Sequence, residues 1–218
     1  MPPTGVGRLR AADIPARFAR RHGFALVETT RHSQLALPLP DGAAAWRAEA
    51  ERAAGGGYRL VQWRHHTPEE WLHAIAVLQG RMSTDAPTGG LDLREEAWDA
   101  QRVRETDEQI TRTGDGYVLT AAEHVPTGEL AAFSQIMVPA HRAAVAFQYN
   151  TLVRADHRGR RLGQLVKAAS LELLVAAAPH VRRVHTWNAG ENAYMLAINE
   201  RLGFARASTE RVWQARVG

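Results

Sequence analysis

The chemistry in this sequence concentrates in one stretch, Thr151-Leu152-Val153-Arg154-Ala155-Asp156-His157-Arg158-Gly159-Arg160-Arg161-Leu162-Gly163. An apolar run enters a turn rich in arginine and glycine, and a helical stripe follows: Leu162, Leu165, Val166, Ala169 and Leu173. Such a turn lines up backbone N–H groups at a helix N-terminus, where the macrodipole favours an anion. Arginines add charge-assisted bonds to phosphate. The spacing therefore predicts a phosphate or pyrophosphate site over Arg158, Gly159, Arg160, Arg161, Leu162, Gly163 and Gln164. It does not say which nucleotide. Neither the GxxxxGK[ST] nor the GxGxxG spacing is present. The alternative is a plain strand–helix turn with surface arginines. A second stretch, Thr186-Trp187-Asn188-Ala189-Gly190-Glu191-Asn192, leads into a helix that closes at Gly203-Phe204.

These residues need elements to hold them. Alternation predicts strands over 58–64, 117–124, 129–138, 143–153, 181–187 and 204–217. Helices are expected from Thr67-Pro68-Glu69-Glu70 to about Met82, over 94–112, from the turn to about Ala178, and over 191–201. The first has the threonine, proline and glutamate of a capping box. A run of antiparallel strands followed by a strand–turn–helix–strand crossover predicts an α/β fold: a mixed, mostly antiparallel twisted sheet with flanking helices. Upstream, 12–22 forms a short helix with Ile14 and Phe18 on its apolar face, and 24–34 is extended.

Composition narrows the function classes. The chain has 218 residues and no cysteine, which excludes disulfides, thiolate nucleophiles and zinc–thiolate sites. The first ten residues carry no apolar signal-peptide core, and no run is long enough to span a membrane, so a cytoplasmic protein is expected. Of the 27 basic residues all but Lys167 are arginine. They are scattered among acids rather than gathered in a stripe, which argues against a nucleic-acid partner. His65-His66 reads as a surface-loop pair, and no metal site is expected.

At this point the sequence resembles a family. Val153-x-Ala155-x-His157-Arg158-Gly159-x-x-Leu162-Gly163 is similar to the acetyl-CoA motif of the GNAT N-acetyltransferases. Asn192-x-x-Met195-x-x-x-Asn199-x-x-x-Gly203-Phe204 resembles their second motif, in the right order. Either alone is weak; together they are specific. Met82-Ser83-Thr84-Asp85-Ala86-Pro87 resembles a mainly actinobacterial subgroup whose members often carry two such domains in tandem, this chain being similar to the C-terminal one.

The resemblance implies a transferase that moves an acetyl group from acetyl-CoA to a primary amine, directly, through a ternary complex. The alternative is a CoA-binding regulatory module with weak or lost chemistry. Leu152 and Val153 fall where the strand before the turn splays and pairs with the pantetheine arm. Asn188 and Asn192 fall at positions facing that arm or the acetyl end; helix capping is the competing role for both. Two departures touch the chemistry. Asn199 stands at the usual general-acid tyrosine, while Tyr194 lies on another helix face and is expected to pack. Asn150 stands where an acid is common, leaving Asn150 or Gln148 to position a water, or a loop carboxylate such as Asp85 or Asp92 to reach in. Arg161 replaces a glycine, which is expected to require negative φ there.

The echo between 18–25 and 198–205, each a helix end closed by Gly-Phe, suggests an organisation. Residues 1–40 are expected to be the relict C-terminal part of a preceding GNAT domain, 41–57 a linker with a glycine hinge, and 58–218 the catalytic domain. The apolar residues of 1–40 are expected to pack on the catalytic domain of their own chain or of a partner in a homodimer.

Overall fold

The computed structural model describes residues 13–82, 96–142 and 144–215. Its helices are α1 (Ile14–Arg21), α2 (Ala43–Ala54), α3 (Leu72–Gly80), α4 (Ala100–Arg112), α5 (Leu162–Ala177) and α6 (Ala193–Arg201). Its strands are β1 (Ala25–Ala36), β2 (Tyr58–Arg64), β3 (Gly116–His124), β4 (Glu129–Val138), β5 (Val145–Val153), β6 (Arg183–Ala189) and β7 (Ala205–Gln214). They form one open sheet in the order β2-β3-β4-β5-β6-β1-β7. Every neighbouring pair is antiparallel except β5–β6.

Two layers flank this sheet. On one face α3 and α4 cover its first half, enclosing Leu72, Ile75, Leu78, Val103, Tyr117, Leu119, Phe133 and Leu152. On the other lies α5, against Val118, Ile136, Ala146 and Val184. Covered on both sides, β3 and β4 are buried almost end to end and read as continuous apolar runs. Helix α5 is buried nearly all round because α2 lies along its outer side: Ala50 is fully buried, Arg47 pairs with Glu172, and Gln164 donates to the Trp46 carbonyl. Residues 41–57 are thus built around a docked helix.

The N-terminal segment enters the sheet. β1 pairs with β6 from Thr30↔Ala189 to Ala36↔Arg183 and with β7 from Ala25↔Gln214 to Gln34↔Ala205. It is an interior strand, with Thr29, Ser33 and Leu35 buried. The apolar face expected of α1 is placed differently. Ala16 and Ala19 are buried, whereas Ile14 is 74% and Phe18 63% exposed. Asp13 caps this helix by accepting from the Ala16 amide (3.0 Å), and Arg211 holds Asp13 from β7. Anchoring from the polar side sets which face turns inward.

Two local expectations change. The Thr67 region starts as a 3-10 turn (Glu69–Trp71) with no side-chain cap. Thr67 instead gives its N–H to Asp107 (2.7 Å) and shares its hydroxyl with Tyr117. A tertiary partner outcompetes the local cap. Helix α4 begins later than residue 94, where Asp99 accepts from the Arg102 amide at 2.7 Å. Among the described residues no helix is long and apolar enough to cross a membrane.

Candidate functional site

The pairing of β5 with β6 stops early. It runs Val145↔Arg183, Ala146↔Val184, Phe147↔His185 and goes no further. Beyond that point β5 stays bonded to β4, out to Ala132↔Val153, and β6 to β1, out to Thr30↔Ala189. The edges they turn toward each other are therefore open over 148–153 and 186–189. A register shift in β5 opposite Ser134/Ile136 bends the strand at the start of this gap. Open strand edges are ready to pair with an extended ligand.

The gap leads to the turn. After Val153 the chain makes a 3-10 turn (Ala155–His157), passes Gly159 at φ +81° and enters α5. Arg161 is the N-cap residue, with φ 55° and ψ 19° and no side-chain capping bond. The negative φ expected there is not adopted, because the entry to α5 demands a left-handed residue. The amides of Leu162, Gly163 and Gln164 are left for an external acceptor. Gly163 has a packing reason: a Cβ there would lie 3.4 Å from both Ile198 and Val153.

His157 braces the turn from below. It is buried, its Nδ1 lies 2.7 Å from the Tyr58 hydroxyl, and its ring packs edge-on against His124. Burial pushes its pKa below the usual histidine value, outweighing the opposing pull of Asp156, and Arg154 and Arg160 add to the lowering. Arg158 and Arg160 are exposed; Arg160 donates to the Asp156 carbonyl. Arg161 pairs with Glu49 of α2, which also holds Arg201.

The other expected residues divide. Leu152 is buried among the α3–α4 core and Val153 is half-buried on the opposite face, so both can offer only backbone to the gap. The side chains of Leu162 and Gln164 are packed away toward α2, leaving their amides at the turn. Asn192 caps α6, accepting from the Met195 amide at 3.1 Å. Asn188 accepts from Asn199 (2.6 Å), and Asn199 is 1% exposed, beneath β6. Asn150 donates to Gln79 (2.9 Å). Gln148 is buried, donating to Ser134 and to the Gln135 carbonyl. Asp85 and Asp92 lie outside the described residues. Tyr194, expected to pack, is exposed, its ring 4.0 Å from where a Gly163 Cβ would stand.

Asn150 also lines a cavity of about 640 Å³ between the sheet and α3–α4, which Tyr149, Met137, Gln135, Trp98 and Ile110 share. At its floor Tyr117 donates to the buried Asp107 carboxylate (2.8 Å), and burial pushes the Tyr117 pKa well up. The gap between β5 and β6 thus runs beside this cavity, which Tyr149 and Asn150 of β5 line.

No family model and no curated protein sequence matches the chain. Solved structures do. A tandem GNAT protein from the clavulanic acid biosynthesis pathway matches over 96% of this chain and 59% of its own, with a TM-score of 0.64 and 27% identity. A GCN5-related N-acetyltransferase from Sphaerobacter thermophilus matches over 94% of this chain and 57% of its own (TM-score 0.62, 14% identity). One from Kribbella flavida matches over 93% and 64% (TM-score 0.52, 15% identity). This chain is a GNAT-fold domain. It spans about three-fifths of the length of these proteins. The open, seven-stranded mixed sheet is the GNAT acyl-CoA N-acyltransferase fold, which supports acyl transfer in general.

Sequence reading missed three features of this GNAT domain: the Asp107–Tyr117–Thr67 network, the Tyr58–His157 brace, and a row of rings on the open half of the sheet. In that row His32 stacks on Trp187 (4.5 Å between centroids), and Phe147 lies 5.9 Å from both His185 and Trp187. Each joins residues far apart in the chain. The signal for the last, His185 and Trp187 at alternate positions in β6 with a single His32 in β1, is too short to stand out.

Proposed function

We propose that this domain is an acetyl-CoA-dependent N-acetyltransferase acting on a primary amine by direct transfer. The single observation that carries the reading is the end of β5–β6 pairing at Phe147/His185, with the gap running into the uncapped N-terminus of α5. Acetyl-CoA fits it as a substrate. The amides of Leu162, Gly163 and Gln164, with Arg158 and Arg160 beside them, would hold the pyrophosphate. The open edge of β5 around Leu152 and Val153 would pair with the amides of the arm. When bound, the thioester supplies an activated acyl group. The protein holds the two reactants together, and orientation alone lowers the barrier by several kcal/mol, about 7 or more in favourable cases. No cysteine exists to take the acyl group, which favours direct attack by the amine.

Asn188, Asn192 and Asn199 support rather than react in this reading: they cap α6 and tie it to β6 beside the gap. Asn150 orients the cavity side. The reading takes residues 1–40 as a relict of a preceding GNAT unit, supported by β1, which completes the sheet of the domain formed by 58–218.

A second reading, a CoA-binding module without turnover, is favoured by one observation: Asn199 is 1% exposed and joined to Asn188, so nothing at the usual acid position reaches the gap. Two assays separate the readings. CoA should raise the melting temperature under either. Incubation with acetyl-CoA and a panel of primary amines should release free thiol only under the first. No shift with millimolar CoA defeats both.

A further inference from the structure

The reacting end of the donor must come to the closed end of the gap. With the phosphates at the α5 amides and the arm along the open edge of β5, the thioester reaches the place where pairing resumes, Phe147↔His185. The His185 side chain stands on the sheet face opposite α5, against the Phe147 ring, on the side where the cavity opens at Tyr149 and Asn150. This places an imidazole on the face of the sheet from which the cavity opens.

His185 is not alone. Its Nδ1 lies 2.8 Å from His32 Nε2, and His32 Nδ1 lies 3.1 Å from Ser208 Oγ, which is exposed. The Nε2 of His185 has no hydrogen-bond partner among the described residues. One pair of tautomers leaves that nitrogen with a free lone pair: His185 Nδ1–H donates to His32, and His32 Nδ1–H donates to Ser208. The relay crosses three strands, β6, β1 and β7, and ends in solvent. Trp187 stacks on His32 and fixes its plane, its own Nε1–H held by Glu210 at 2.7 Å.

Resting on the acyl-transfer reading, we propose that His185 accepts the proton of the incoming ammonium, and that His32, delivered by the N-terminal strand, positions it and passes a proton to Ser208 and water. The ammonium gives one proton to His185 Nε2. The Nδ1 proton of His185 moves to His32, the Nδ1 proton of His32 to Ser208, and the serine hydroxyl proton to water. The freed amine forms its C–N bond to the acyl carbon as the C–S bond breaks. The second amine proton leaves with the CoA sulfur as thiol.

The groups facing His185 suit this task. Burial disfavours the imidazolium most, and His32 from β1, Arg183 on its own strand and Arg142 before β5 add to it, so its pKa is lowered. Glu210 on β7 is the acid of the row and is engaged by Trp187. A neutral base is therefore ready at neutral pH. The proposal also gives β1 a second role: the segment that completes the sheet completes the site.

The test uses the full chain labelled with ¹⁵N-histidine, with signals assigned by His185→Gln and His32→Gln. Long-range ¹H–¹⁵N spectra should show His185 protonated on Nδ1 when neutral and titrating below 6.5, the ordinary histidine value. Saturating acetyl-CoA should move its Nε2 signal. With the amine selected by thiol release, His185→Gln should lose about 100-fold or more in kcat at unchanged KM for acetyl-CoA. The fall in rate as pH drops through the His185 pKa should vanish with it. His32→Leu should lose both the Nδ1-protonated tautomer of His185 and turnover, whereas His32→Gln, whose amide oxygen can still accept from Nδ1 but cannot carry a proton onward, should restore the tautomer and leave turnover low. Nε2 protonation in the neutral ring, a signal unmoved by bound acetyl-CoA, or an unchanged pH limb in His185→Gln overturns the proposal while leaving CoA binding standing. Absence of any acetyl-CoA response, in spectra or melting temperature, defeats the acyl-transfer reading and this one together.

Discussion

Lys167, the only lysine in the chain, lies in the middle of α5 at 1% exposure. Among the described residues no carboxylate or hydrogen-bond acceptor meets its ammonium. The Phe204 ring lies 5.7 Å from Nζ, in cation–π range. Burial pulls its pKa from 10.5 down to about 7. At about 1.4 kcal/mol per pH unit that gap is a penalty of about 5 kcal/mol whenever the unfolded chain holds the proton and the native state must give it up or bury it. The cation–π contact offsets about 1 kcal/mol. The sign follows from proton counts. Below pH 7 both states hold the proton and the penalty is complete. Between about 7 and 10 the unfolded lysine is charged and the native one neutral, so stability rises with pH by about 1.4 kcal/mol per unit. Above about 10 the slope reverses, because buried Tyr117 resists ionisation that the unfolded tyrosine undergoes. Replacing Lys167 with methionine, of similar length and apolar, should stabilise the protein at pH 7 by about 4 kcal/mol. The gain should shrink toward zero by pH 10. Urea unfolding of both proteins across pH 6.5–10 measures this directly. With no cysteine and no second lysine, the window is little disturbed by other side chains. A methionine variant that is no more stable at pH 7, or a difference that does not change with pH, would refute the reasoning.

Three other outcomes are expected. Gly163→Val should abolish the melting shift with CoA, because the branched methyls meet Ile198 and Val153 where a Cβ alone already lies at 3.4 Å; an undiminished shift places the phosphates elsewhere. Tyr117→Phe removes a donor from the buried Asp107 carboxylate and should cost about 2 kcal/mol in chemical denaturation, with a change below about 0.5 kcal/mol counting against the network. Deleting residues 1–40 takes out a strand bonded on both sides and should leave an insoluble or unfolded product; a truncated protein with an unchanged melting temperature and sheet signal in circular dichroism would make β1 dispensable.

Local chemistry made part of this molecule legible. A strand, an Arg-Gly turn and a helix stripe are contiguous, so the turn over Arg158–Gly163, where the anion site is proposed, and most element positions follow from nearest-neighbour rules: period, caps and glycine. The Gly-Phe helix exits at 23–24 and 203–204 are local in the same sense. Tertiary structure decided the rest. Thr67 looked like a cap because its sequence neighbours favour one, yet Asp107 and Tyr117 claimed it. Arg161 takes a positive φ because α5 must start at a fixed place on the sheet. Asn188 and Asn199, eleven positions apart, satisfy each other. The placement of β1 between β6 and β7, and with it the contact of His32 with His185 across 153 positions, left no trace in either segment taken alone. A strand's own residues specify which faces it can bury, but its neighbours are chosen by the edges that remain unpaired when the rest of the sheet has formed.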